Sequence, residues 1–275
     1  ILWVDNSAFH VTNAIENLCD QNRISVVFQR HRLARSGPLD VIFVGTEQCE
    51  VFVFDITALG DQAFELGLRH LLESKEIKKL VFNVPDASDT LNAVHGVFLQ
   101  NFFDVQILEI IHRRSLVEMK DDETSNPILR VKGFESCLKR YIVWEERKSA
   151  PYFTDAGKYG VIENVWTERP LRDGILKAWA ASTLNIFSLF DALKEGTDMK
   201  FLASASERYA NHMRSYEKLP KEKYLFHPYI PPDVLAVDYT SYDVNHLCEC
   251  CKKMLPSEDL GMQQEMERLK CKICR

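Results

Sequence analysis

Short apolar runs alternate with longer segments of helical period through the first half of the chain. Ile1–Val4 predicts a short strand and Ala14–Cys19 a helix. The β-branched run Ile24–Phe28 has the length and composition of a strand. Leu39–Val44 and Val51–Ile56 predict two more, joined by the polar segment Gly45–Glu50. Ile24–Ile56 is therefore expected as a three-stranded antiparallel meander, with the basic stretch Arg30–Pro38 closing its first turn in Ser-Gly-Pro.

Beyond the meander, Phe64, Leu68, Leu71 and Leu72 fall at helical spacing within Asp61–Lys75. Lys79–Phe82 predicts a strand and Asp86–Val97 a helix. Phe102–Phe103 leads into a helix over Asp104–His112. An acidic loop follows at Glu118–Asn126. Phe134, Cys137, Leu138, Tyr141 and Ile142 share one helical face, and Tyr152–Arg169 is a connection containing glycines and aromatics. Leu171–Leu193 is the longest helical pattern and apolar enough to be mostly buried. The charged run Lys218–Lys223 and the prolines 228, 231 and 232 predict a linker. Alternation of this kind implies an α/β domain with a mixed sheet and flanking helices.

Composition narrows the reading little. The 275 residues are 46% apolar and 27% charged, as expected for a globular domain with a sizeable core. No apolar run reaches the roughly 20 residues of a membrane span. The chain opens on Ile1 rather than Met and is expected to be a piece of a longer protein. A net charge of −6 gives no support for nucleic-acid binding by the surface as a whole, so such binding would need a local basic face.

The eight cysteines are more telling. Cys19, Cys49 and Cys137 are scattered and read as buried thiols, while five crowd into the last 28 residues. Cys248-x₂-Cys251 and Cys271-x₂-Cys274, with 19 residues between the pairs, have zinc-ribbon spacing. Four thiolates predict one closed, structural Zn²⁺ site that folds a module too small to bury its own core. Cys250 is an alternative ligand and His246 a further candidate. Such clustering fits a reducing compartment, so the protein is expected in the cytoplasm.

Three segments together carry a resemblance over about residues 1–195. They are VFVFDITALG (51–60) with the helix after it, KKLVFNVPDASDTLNAVHGVFLQNFFDVQI (78–107), and VWTERPLRDGILKAWAAST (165–183). In order and spacing they resemble the DEDD superfamily of 3′–5′ exonucleases, of the ribonuclease D type. The likeness is greatest to members that serve RNA pathways. It implies a ribonuclease H-like mixed sheet over residues 1–200; the linker (201–240) and the zinc-ribbon-like module (241–275) follow from composition and cysteine spacing. It also implies single-stranded RNA and protein partners in a small-RNA (piRNA-type) silencing or mRNA transport pathway, and makes a homodimer plausible.

The same resemblance implies that the chemistry is gone. Active members hold two Mg²⁺ ions, about 3.5–4 Å apart, between four carboxylates beside a general base. Where the family has D-x-E on the first motif's strand, this chain has Val27 and Gln29. Asp89 matches the second motif's Asp. Thr183 stands at the last Asp, and Trp179 at the Tyr that orients the attacking water. Magnesium demands hard oxygen ligands, and an indole is a donor that does no base chemistry. Three of four carboxylates are missing, so the expectation is a pseudo-exonuclease with no catalytic Mg²⁺. An active exonuclease with acids at other positions, and a protein-only scaffold, are the alternatives. Asp104 is expected to make a structural hydrogen bond. For RNA contact the candidates are Arg30, Arg32 and Arg35, crowded into the first hairpin.

Overall fold

The computed structural model describes residues 1–4, 7–30, 37, 39–118, 130–147, 165–214 and 230–235, and the backbone of short strands at 246–247, 254–255, 260–262 and 269–271. Its centre is a six-stranded mixed sheet. The strands are β1 (Leu2–Val4), β2 (Arg23–Gln29), β3 (Val41–Gly45), β4 (Val51–Asp55), β5 (Lys78–Val81) and β6 (Phe102–Asp104). Their spatial order is β1-β4-β3-β2-β5-β6. The expected meander is present: β2 and β3 pair antiparallel with Val27 opposite Phe43, and β3 and β4 likewise with Ile42 opposite Phe54. β5 pairs parallel with both β2 and β6, and β1 runs parallel to β4 at the far edge.

Every residue of β3 and β4 is buried, because helices cover both faces of the sheet. The period of two divides their side chains cleanly. Ile42, Val44, Phe52 and Phe54 join one core layer with helix α1 (Ala8–Cys19). Val41, Phe43, Val51 and Val53 point the other way, against Trp166, Leu171 and Ile175. Helix α1 seats Val11, Ala14, Ile15 and Leu18 on the sheet, an i, i+3, i+4, i+7 stripe. Short helix α2 (Ile56–Leu59) follows β4. The next expected helix is broken into a π-helical turn at Phe64–Leu68 and α3 (Arg69–Glu73), with the kink at Gly67. Gly67 has φ 125°, and a Cβ there would lie 2.9 Å from Ile15 Cγ2, so both backbone and packing exclude other residues.

Helix α4 (Pro85–His95) joins the layer of α1 through Leu91, while α5 (Val105–Glu118), α6 (Phe134–Tyr141) and α7 (Asp173–Leu193) pack around Leu80 and Phe103 in another. Helix α7 has 21 residues, about 31 Å of length, and lies across the sheet with twelve of them buried. Gly45 permits its close approach: a Cβ there would fall 3.1 Å from Thr183 Cγ2 and 2.6 Å from Ser25 Oγ.

Two expectations are corrected here. Phe102–Asp104 is an edge strand, where the helix was expected to begin at Asp104. A helix, α8 (Met199–Arg214), runs from just before the expected linker through its first 14 residues. Its buried stripe is Leu202, Ala205, Ser206, Ala210 and Met213. Ile230, Val234 and Leu235 are also buried against the domain, so the globular unit extends well beyond residue 200.

A buried ionic cluster joins α5 and α6. Glu109, with a fully buried side chain, accepts from Arg113 Nε (3.0 Å) and Nη2 (2.8 Å) and from the Tyr141 hydroxyl (2.9 Å), with Lys132 Nζ at 3.2 Å. Burial pushes the Glu109 carboxyl up, but these donors outweigh it and hold it below the usual range. Removing one member of a buried charge group strands the others. Glu109→Ala is therefore expected to cost about 3–5 kcal/mol of unfolding free energy by urea denaturation. A loss below about 1 kcal/mol, the worth of a surface pair, would place the cluster among solvated ones.

Candidate functional site

β2 and β5 run parallel, and their carboxyl ends open into a cleft of about 350 Å³. Open α/β sheets bind ligands at this end. Val27 and Gln29 of β2 form one wall, Trp179, Ser182 and Ile186 of α7 another, and Phe82, Asn83, Gln106 and Phe134 the remainder. Phe82 meets Phe134 edge-on, with centroids 4.9 Å apart.

Asp104 fixes the shape of this cleft. Its carboxylate accepts the backbone N–H groups of Asn83 (3.0 Å), Val84 (2.8 Å) and Gln106 (2.9 Å). Asn83 takes φ 59°, a left-handed conformation that asparagine tolerates, and so turns the chain from β5 into α4. The Tyr209 hydroxyl of α8 lies 3.3 Å from Gln106 Oε1 and 3.4 Å from Asn83 Oδ1. Gln106 Nε2 donates to the Lys132 carbonyl at 3.0 Å. Asp104 thus has the structural role expected of it, with more partners than one hydrogen bond.

The family's metal positions offer little to a metal. Val27 has no ligand atom and Gln29 a neutral amide. Trp179 lines the cleft, with its Nε1 buried and unpartnered among the described residues. Thr183 does not line it. Its hydroxyl donates to the Trp179 carbonyl at 2.7 Å and its methyl rests on Gly45. Ser182 takes that place and donates to the Ala178 carbonyl at 2.9 Å. Asp89, the acid expected at the cleft, is buried but not part of its lining. Helix α4 turns Asp86 and Ala87 toward the cleft; Asp89, about 60° round the helix from Asp86 and about 160° from Ala87, falls outside the lining. Asp86 is the one acidic residue among the described residues of the lining.

Arg30 follows Gln29 directly, and the structure places it against α4. Its side chain is 5% exposed; Nη2 forms an ion pair with Asp86, and Nη1 donates to Thr90 Oγ1 at 2.5 Å. A guanidinium so engaged faces α4 rather than solvent. Arg32 and Arg35 lie outside the described residues, as do Cys248, Cys250, Cys251 and Cys274. The backbone at Cys271 ends a strand paired antiparallel with Leu260–Met262, and His246 starts one paired with Met254–Leu255. Among the described residues, no helix is long and apolar enough to cross a membrane.

One pairing went unread in the sequence. Arg169 binds Asp55 through two bonds, Nε–Oδ2 and Nη2–Oδ1, both 2.5 Å, and both residues line a second hollow of about 710 Å³. It joins the end of β4 to the entry of α7, two of the segments that carry the family likeness. Each residue stands inside its motif, and only the fold brings them together.

The mixed sheet with its cleft and flanking helices is that of a DEDD-type 3′–5′ exonuclease-like domain. The crystal structure of Trypanosoma brucei RNase D complexed with RNA U12 matches it with a TM-score of 0.68 at 18% identity, over 91% of this chain and 90% of that one. Escherichia coli RNase D, an exoribonuclease involved in structured RNA processing, matches with a TM-score of 0.56 at 15% identity, over 81% and 55%. In sequence the chain is similar to EXD1: the human piRNA biogenesis protein EXD1 is 37% identical over 203 residues, 73% of this chain and 38% of that protein. The chain therefore spans less than two fifths of this relative's length. No protein-family model matches it.

Burial pushes the Asp104 carboxyl up to about 6 despite its backbone donors. An acid whose folded pKa exceeds its unfolded value, about 3.9, holds an extra proton in the folded state between the two. Its contribution to stability is highest below about pH 4, falls as pH rises to about 6, and is flat beyond. The carboxyl ¹³C resonance of Asp104 should titrate with a midpoint near 6, and Asp104→Asn should remove that slope from the stability profile. A midpoint below 4 would show that the N–H groups outweigh burial.

Proposed function

We propose that this domain is a non-catalytic, exonuclease-like RNA adaptor in a small-RNA pathway of the piRNA type, working with protein partners. One observation carries the reading: Asp86, the single acid among the described residues that line the cleft, is already paired with Arg30. A magnesium pair needs several anionic oxygens converging on it. A cleft walled by Val27, Phe82, Phe134 and Ile186, with amides from Gln29 and Asn83, offers apolar surface and neutral donors and acceptors. That chemistry suits an uncharged planar group such as a nucleobase better than a metal-bridged phosphate. The pathway and RNA are proposed by likeness to EXD1, named for piRNA biogenesis, and to an RNase D structure that holds RNA.

Further parts of the proposal concern the rest of the chain. Cys248, Cys251, Cys271 and Cys274 hold one structural Zn²⁺. Arg32 and Arg35 contact RNA phosphates, and the protein works in the cytoplasm.

Labelled single-stranded RNA incubated with the protein and Mg²⁺ or Mn²⁺ should stay at full length, while a gel shift should appear and weaken steeply with salt. A ladder of shortened products would overturn the non-catalytic reading, and no shift at low salt would leave a protein-only scaffold. Elemental analysis of the purified protein should find about one zinc per chain; its absence would reject the cysteine site.

A further inference from the structure

The acids near the cleft carry their own counter-ion. Arg30 leaves the end of β2 one residue beyond Gln29, and its fork reaches Asp86 and Thr90, which are one turn apart on α4. Asp89 and Asp40 add to the negative field at the guanidinium. Asp40 is itself buried, at the start of the β3 hairpin arm, where it accepts from the Thr57 hydroxyl at 3.3 Å. Arg214, at the end of α8, lies near enough to Asp89 to feel its charge. Asp86, Asp89 and Asp40 thus act on Arg30, and Arg214, which also feels Glu207, lies near Asp89.

We infer that Arg30 does the electrostatic work a divalent cation would do here: it balances the buried carboxylates, fixes α4 against the end of β2, and keeps divalent ions out. This rests on the reading of the cleft as non-catalytic and goes a step past it. On that reading alone, lost acids explain the lost metal, and restoring them should restore binding. Here restoration on β2 is insufficient. An incoming ion at Asp86 would either stand beside the like-charged guanidinium or displace it from the carboxylate, and both are unfavourable in a partly buried site. Arg30 engages one oxygen of Asp86, and an ion drawn to the other would meet a carboxylate whose charge the guanidinium already balances, with that positive charge close beside it. Burial pulls the Arg30 guanidinium down from its ordinary pKa and pushes the Asp86 carboxyl up. Each charge is therefore costly where it stands, and the separation of the two costs still more.

The test is Mn²⁺ binding to the 275-residue chain, read from the loss of the free-ion paramagnetic resonance signal. Val27→Asp/Gln29→Glu should bind Mn²⁺ no more tightly than the parent chain. The same pair combined with Arg30→Met should bind at least about tenfold more tightly. Circular dichroism checks folding; if the methionine variant does not fold, Arg30→Gln replaces it, since its amide still donates to Asp86 or Thr90 but carries no charge. Equal affinity with and without Arg30 would overturn the inference, whether both bind well or neither does. Tight Mn²⁺ binding by the parent chain together with shortened RNA would instead overturn the non-catalytic reading, so the two failures are distinguishable.

Discussion

One buried carboxylate organises the working end of this domain. Asp104 sits at the last position of the sheet's edge strand, yet its oxygens gather N–H groups from the β5–α4 turn and from the first turn of α5. Its own N–H reaches the Ser206 hydroxyl of α8 at 2.9 Å. A turn with a left-handed asparagine is poorly determined by local preference. It becomes well determined when two of its donors must find a common acceptor away from water. Asn83, Val84 and Gln106 are placed in the cleft by this hub, so the cleft's shape is inherited from a residue that does not line it.

Much of the architecture was legible because the meander obeys simple rules. In β3 and β4 the alternate residues serve opposite layers, and each layer is apolar, so both strands read as short continuous hydrophobic runs bounded by polar turns. Helix α7 announced itself through length. Helix α8 did not, because its buried face is built largely of alanine and serine. Small residues allow close approach to α4 and β6 but give little hydropathic contrast, and the nearby charged and proline-rich segment looked like a linker. Strand β6, at three residues, is too short for any periodicity and exists because β5 offers it an edge.

The site was legible in its losses more than in its replacements. Val27, Gln29 and Trp179 stand in or beside the cleft as their motif positions implied. Which aspartate of α4 faces inward depends on the helix's rotation, and a ladder of Asp86, Ser88 and Asp89 does not reveal it. Arg30 was harder still. In sequence it is one of several basic residues in a hairpin, the composition of a phosphate-binding arm. In the fold, the chain leaving β2 carries it over the first turn of α4. A cluster of like charges in a sequence implies nothing about a shared fate, since one member can be drawn inside by acids far along the chain.

The clasp between Asp55 and Arg169 has a consequence for how such a domain can diverge. The two residues are 114 positions apart, and the bidentate geometry sets both distance and orientation at the point where α7 begins. The start of the long helix is thereby registered against the sheet by a side-chain lock, not by the length of the polypeptide leading to it. Sequence changes elsewhere that leave this pair intact therefore leave the start of α7 seated on the sheet in the same register.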